Sequence, residues 1–167
     1  MNGPLELLQA YFRRGVVVDS NLLVLFFLGG FDRSQIDKNP RLEKYSPDDF
    51  ELLIKLLDKF RVLVTTPHVL TEVSNLSNAV PEGERKSYFE SIASRVTLLE
   101  ERHVACSTAL AGRWERFGLT DAAIATIAEN QLLVLTDDFR LSQVLQSEGI
   151  DSLNFNHLRQ IYWQSEN

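Results

Sequence analysis

Val16-Val17-Val18-Asp19-Ser20-Asn21-Leu22-Leu23 decides the reading of this chain, because an apolar run of strand length stops on an acid and passes at once into a helix-forming segment. The same pattern returns at Leu132-Leu133-Val134-Leu135-Thr136-Asp137-Asp138. Fully apolar runs of this kind suit strands buried on both faces, which is the environment of a parallel sheet. Working outward, Val62 to Thr65, Val96 to Leu99 and Ser152 to Phe155 complete five predicted strands. Helical segments are predicted at Pro4 to Arg13, Asn21 to Leu28, Pro47 to Phe60, Pro67 to Asn78, Glu82 to Ala93, Arg102 to Phe117, Asp121 to Asn130, Leu141 to Glu148 and His157 to Trp163. Alternation of strand and helix predicts an α/β protein, a three-layer α/β/α sandwich around a central, mainly parallel sheet.

With 167 residues, 44% hydrophobic and 24% charged, the chain reads as one domain spanning 1–167, with an N-terminal helical extension at 1–14 and an extended loop at 29–46. The loop reading rests on Gly29-Gly30, alternating charges and Pro40. The single cysteine, Cys106, excludes an internal disulfide, and Leu22 to Gly30 is too short to span a bilayer. A cytoplasmic protein without membrane contact is expected. Net charge is −6, from 23 acids against 17 Lys and Arg, which argues against holding nucleic acid by bulk electrostatics unless part of the acid set is neutralised.

In a parallel sheet the C-terminal ends of strands and the N-termini of the following helices share one edge, where ligands bind. Asp19 and Asp137-Asp138 end strands, and Glu72 and Asp121 lie near helix starts, so this edge is acidic. Two charges about 4 Å apart repel by roughly 4 kcal/mol at an effective dielectric of about 20, so such a set needs protons or a cation. Oxygen donors alone point to Mg²⁺ or Mn²⁺.

Each acid also has an ordinary explanation. Asp19 can cap the next helix, and Glu72, beside the apolar stripe of Val69, Val73 and Leu76, can pair with an arginine. Asp121 in a first turn gains from the helix dipole, although it shares a face with Ile124, Ala125 and Ala128. Asp137 and Asp138 suit a turn, one capping or facing solvent while the other joins the cluster. The histidines share no ligand spacing, and no glycine-rich phosphate loop is present.

Taken in order, Val-Val-Val-Asp19-Ser20-Asn21, Thr71-Glu72-Val73, Gly118-Leu119-Thr120-Asp121 and Thr136-Asp137-Asp138 with Leu141 resemble the PIN-domain nucleases, the family of VapC-like ribonucleases. The resemblance spans about Val16 to Phe155. It implies a metal-dependent endoribonuclease cleaving single-stranded or structured RNA, with Asp19, Glu72, Asp121 and Asp138 as catalytic acids. Of these, Asp19, Asp121 and Asp138 are the implied ligands of Mg²⁺ or Mn²⁺, and Glu72 is implied to orient a ligand or metal-bound water or to act as a base. Ser20, Asn21, Thr136 and Asp137 flank them as supporting polar positions. Arg113 and Arg116 are candidate substrate contacts. Toxin members imply an antitoxin protein as partner, but they lack the Met1 to Arg14 segment and the long 29–46 stretch. Apolar residues of the N-terminal helix, Leu5, Leu7, Leu8, Tyr11 and Phe12, suggest either a homodimer contact or packing on their own domain. The competing functional class is a catalytically inactive PIN-fold module that binds nucleic acid or acts as a scaffold. A phospho-acceptor domain of receiver type is the weaker alternative, lacking the late strand-end lysine.

Overall fold

A run of three valines flanked by a glycine and an acid becomes the central strand of the computed structural model, which describes residues 3–112, 115–129 and 131–165. The strands are β1 (Val16–Val18), β2 (Leu63–Thr65), β3 (Leu99–Glu101), β4 (Leu133–Thr136) and β5 (Ser152–Asn154), in spatial order β3-β2-β1-β4-β5. Every pairing is parallel, with Val16 opposite both Leu63 and Leu133 and Val134 opposite Ser152. All residues of β1, β4 and β5 are buried, as expected where helices cover both faces of a sheet. The result is the three-layer α/β/α sandwich that the alternating pattern predicts.

The helices are α1 (Pro4–Tyr11), α2 (Ser20–Phe31), α3 (Ser34–Lys38), α4 (Pro47–Leu57), α5 (Pro67–Leu76), α6 (Glu82–Val96), α7 (Cys106–Leu110), α8 (Leu119–Ala128), α9 (Phe139–Ser147) and α10 (Phe155–Ser165). Apolar around its whole circumference, α2 buries every residue from Leu22 to Leu28. A helix of that composition has no solvent face, and it forms the core beside the sheet. Among the described residues no helix is long and apolar enough to cross a membrane.

Three local expectations are corrected. Residues 29–46 are not an extended loop: α2 runs on to Phe31, α3 and a 3-10 turn at Pro40–Leu42 follow, and Ile36, Leu42 and Tyr45 are buried. Gly29 lies inside the helix because a Cβ there would meet the Phe50 ring at 2.6 Å, so it marks close packing rather than a turn. The third strand starts at Leu99, since α6 continues through Val96 and carries that valine against the core. The predicted helix from Arg102 to Phe117 shrinks to α7, which ends before Gly112 at φ +78°. Within α1, Leu8 and Tyr11 are buried and Leu7 packs on the core, as does Phe12 just after it, leaving Leu5 as the helix's exposed large apolar residue. Tyr11 also donates to Asp151 at 2.7 Å, tying α1 to the segment before β5. That apolar face is therefore used within the domain.

Candidate active site on the acidic edge

Strand order reverses at β1, whose neighbours are β2 and β4, and the crevice at such a reversal is where open α/β sheets bind ligands. Asp19 leaves β1 at this point, with its N–H donating to the Leu135 carbonyl of β4 at 2.9 Å. It is the N-cap residue of α2, but its Oδ1 accepts from the adjacent Ser20 N–H at 2.6 Å rather than from the next turn. Oδ2 accepts from the Thr136 hydroxyl, also at 2.6 Å. Burial pushes the Asp19 carboxyl up to about 7; Asp121 and Asp137 add to the rise, while the bonds from Thr136 and Ser20 oppose it.

Asp121 lies in the first turn of α8, whose Ala122, Ala123, Ala125 and Ala128 are buried and permit close packing. Burial first, then the negative charges of Glu72 and Asp138, push its carboxyl up to about 6. Asp121 is thus the electrostatic centre of the set, in Coulombic reach of Asp19, Glu72 and Asp138. Glu72, half-buried on α5, accepts from the Ser20 hydroxyl at 3.0 Å. Among the described residues no lysine, arginine or histidine forms an ion pair with Asp19, Glu72, Asp121 or Asp138. No described arginine is the partner that would explain Glu72 as an ordinary ion pair.

The adjacent aspartates divide. Asp137 is buried, accepting from Tyr45 and from Asn21 at 3.1 Å and pairing with the Lys44 ammonium. Burial raises its carboxyl, but the bonds from Lys44, Tyr45 and Asn21 and the lysine charge outweigh this and hold it below its usual value. Asp138 is exposed and caps α9 by accepting from Leu141 N–H at 3.0 Å, while its own N–H donates to the Thr136 hydroxyl. Asp138 lines an open cleft of about 220 Å³ together with Asp121, Gly118, Arg116 and Arg140. Asp137 is therefore a charge-paired structural acid, whereas Asp138 faces a cleft and forms no ion pair among the described residues.

Of the predicted cations, Arg116 reaches this cleft but pairs with Glu148 at 3.0 Å, and Arg113 lies outside the described residues. Sequence reasoning missed Arg140. A cation in the first turn of a helix is disfavoured by about 0.3–1 kcal/mol, and Arg140 has no acidic partner among the described residues, which is the signal that would have found it. Lys44 is the counter-charge of Asp137.

The donors of this edge are hard oxygen atoms, and among the described residues Asp19, Glu72, Asp121 and Asp138 form no ion pair, a donor set that suits Mg²⁺ or Mn²⁺. Asp19, Asp121 and Asp138 are the residues that would hold such an ion. Among the described residues, no three Asp, Glu, His or Cys side chains already converge as a ligand set; the acids share the edge with their carboxylates apart. Comparison of the chain with protein-family models, curated proteins and solved structures yields no match.

Proposed function

We propose that this protein is a divalent-metal-dependent nuclease of the PIN-domain type, hydrolysing phosphodiester bonds in RNA. The observation that supports the reading is the combination of Asp19 and Asp121, both with raised carboxyl pKa and neither with a cationic partner among the described residues, at the reversal point of a parallel sheet. Holding unpaired carboxylates half-buried or buried costs stability, and such clusters are characteristic of functional sites.

When bound, a divalent ion would lower the pKa of a coordinated water and offset charge on the phosphoryl oxygens and leaving group. The chain's own contributions are orientation and charge. Thr136 and the Ser20 N–H fix both oxygens of Asp19. The Ser20 hydroxyl holds Glu72 Oε2, leaving Oε1 as the atom available to accept a proton from an attacking water. Asp137, clamped by Lys44, Tyr45 and Asn21, stiffens the β4 end that carries Asp138. Arg140, beside Asp121 and Asp138, is positioned to meet a substrate phosphate.

The separation of the carboxylates favours a second reading, a catalytically inactive module of the same fold that binds RNA or scaffolds a partner. One experiment decides between them. Purified wild type should cleave labelled single-stranded RNA in Mg²⁺ or Mn²⁺ and lose that activity in EDTA and in Asp19→Asn and Asp121→Asn. Wild type without metal-dependent cleavage, or cleavage unchanged in both variants, rejects the nuclease.

A further inference from the structure

At the end of the sheet remote from the acidic edge, where β2 begins and the chain passes from α6 into β3, lies a cleft of about 420 Å³. Much of its lining is apolar: Ile54 of α4, Val62 and Leu63 are half-buried there, with Phe26 and Phe60 more deeply buried. Arg95 also lines it but is already engaged, its guanidinium donating to the Gly30 carbonyl at 2.8 Å and lying over the Phe26 ring.

Three further lining residues are left open by the fold. Leu98 is 65% exposed, more than any other large apolar side chain described. Asp58 is the C-cap residue of α4, where the helix dipole disfavours negative charge. Arg61 follows three residues later. Both charged residues are exposed, and among the described residues neither forms an ion pair, with the other or with any third group. A single exposed leucine is ordinary. Beside an apolar cleft, and with an unpaired charge of each sign on the same face, it completes a surface that complements itself.

We infer that this face is a two-fold interface between two copies of the chain. Leu98 of each copy enters the apolar cleft of the other, and Asp58 of each pairs with the partner's Arg61. A two-fold axis makes every such contact twice, so a knob, a cleft and two opposite charges on one patch are enough to close the assembly as a dimer. The cross-pair also sets a cation against the C-terminal end of α4, which the helix dipole favours. Mixed charge selects a second copy over nucleic acid or a uniformly acidic partner, either of which would bring negative charge against Asp58. The acidic edge lies at the other end of the sheet, so both candidate sites stay open in the dimer, and the pairing stands or falls apart from the nuclease reading.

Sedimentation equilibrium of the full chain from about 1 to 100 μM, the affinity range of a modest interface, tests the pairing. Wild type should move from the monomer mass of 19.0 kDa toward twice that value as concentration rises. Leu98→Glu should raise the dimer Kd at least about thirtyfold, as loss of an interface anchor does. Asp58→Arg and Arg61→Asp should each raise it at least about tenfold, by setting like charges against each other. Mixed in equal amounts, those two variants should recover wild-type affinity to within about threefold, because each supplies the charge the other lacks, and the double variant should recover it too. Recovery on mixing also shows that the single variants are folded. A wild type that keeps the monomer mass up to about 100 μM overturns the interface. A Leu98→Glu protein that dimerises as wild type does, or charge variants that fail to pair on mixing, would overturn it equally.

Discussion

Replacing Asp19 by asparagine should make the metal-free protein more stable, not less, at pH 8. In the fold the Asp19 carboxyl is moved from 3.8 to about 7. At about 1.36 kcal/mol per pH unit, three units set an upper limit of about 4 kcal/mol on the cost of ionising it in place. Asparagine keeps an acceptor for one of the two short bonds from Ser20 N–H and Thr136 Oγ1 but loses the charge that strengthens both. Weakening charge-assisted bonds returns about 1–3 kcal/mol, so the net gain should be about 1–3 kcal/mol. The pH dependence follows from linkage: between about pH 4 and 7 the folded state holds a proton that the unfolded state has released, so this group's contribution to stability falls as pH rises through that window and is flat above it. At pH 5 the folded-state proton is in place, and the advantage of the variant should largely vanish. Urea unfolding at pH 5 and pH 8, in EDTA, measures both numbers. Mn²⁺ at 100 times its Kd should then add about 2.7 kcal/mol to wild type and little to the variant. An Asp19→Asn protein that is destabilised equally at both pH values would refute the reasoning, because Asp19 would then be a structural cap and not a strained functional acid.

Lys44→Met removes the ammonium partner of buried Asp137 and should destabilise by about 1–3 kcal/mol at pH 8, less than a fully buried pair because Tyr45 and Asn21 still donate. Since Asp137 titrates below its unfolded value, that loss should disappear as pH falls below about 4 in urea titrations. Arg159→Met breaks a two-point pair with buried Asp49, at 2.6 and 2.7 Å, and should cost about 3–5 kcal/mol by the same assay. Gly29→Ala places a Cβ 2.6 Å from the Phe50 ring and should cost about 1–3 kcal/mol, visible as a lowered Tm.

The central strands were legible because β1 and β4 are buried on both faces, which demands unbroken apolar runs that no loop would carry. The edge strand β3 was not, since its Glu100 and Glu101 are exposed and resemble a helix end or a loop. Residues 29–46 misled for a related reason. Of their buried side chains, Gln35 and Asn39 are polar and interrupt the apolar positions Ile36, Leu42 and Tyr45, and part of what secures them comes from far along the chain, as in Tyr45 donating to Asp137. The acid-bearing strand ends and helix starts were readable from local pattern alone. Which neighbouring aspartate is neutralised was not, because that depends on Lys44, 93 residues before Asp137 and brought close by the fold. Arg140 was locally visible as a cation against a helix dipole.

Calorimetric titration of Mn²⁺ into wild type at pH 6, repeated in buffers of different ionisation enthalpy, reaches the central claim most directly. Burial leaves Asp19 substantially protonated at that pH and Asp121 about half so. Ion binding should therefore be saturable and accompanied by net proton release. The release should fall away at pH 8, and binding should be lost in Asp19→Asn and Asp121→Asn. Heats that are unchanged in both variants, or binding without any proton release at pH 6, would contradict the assignment of these carboxylates as a metal-holding edge.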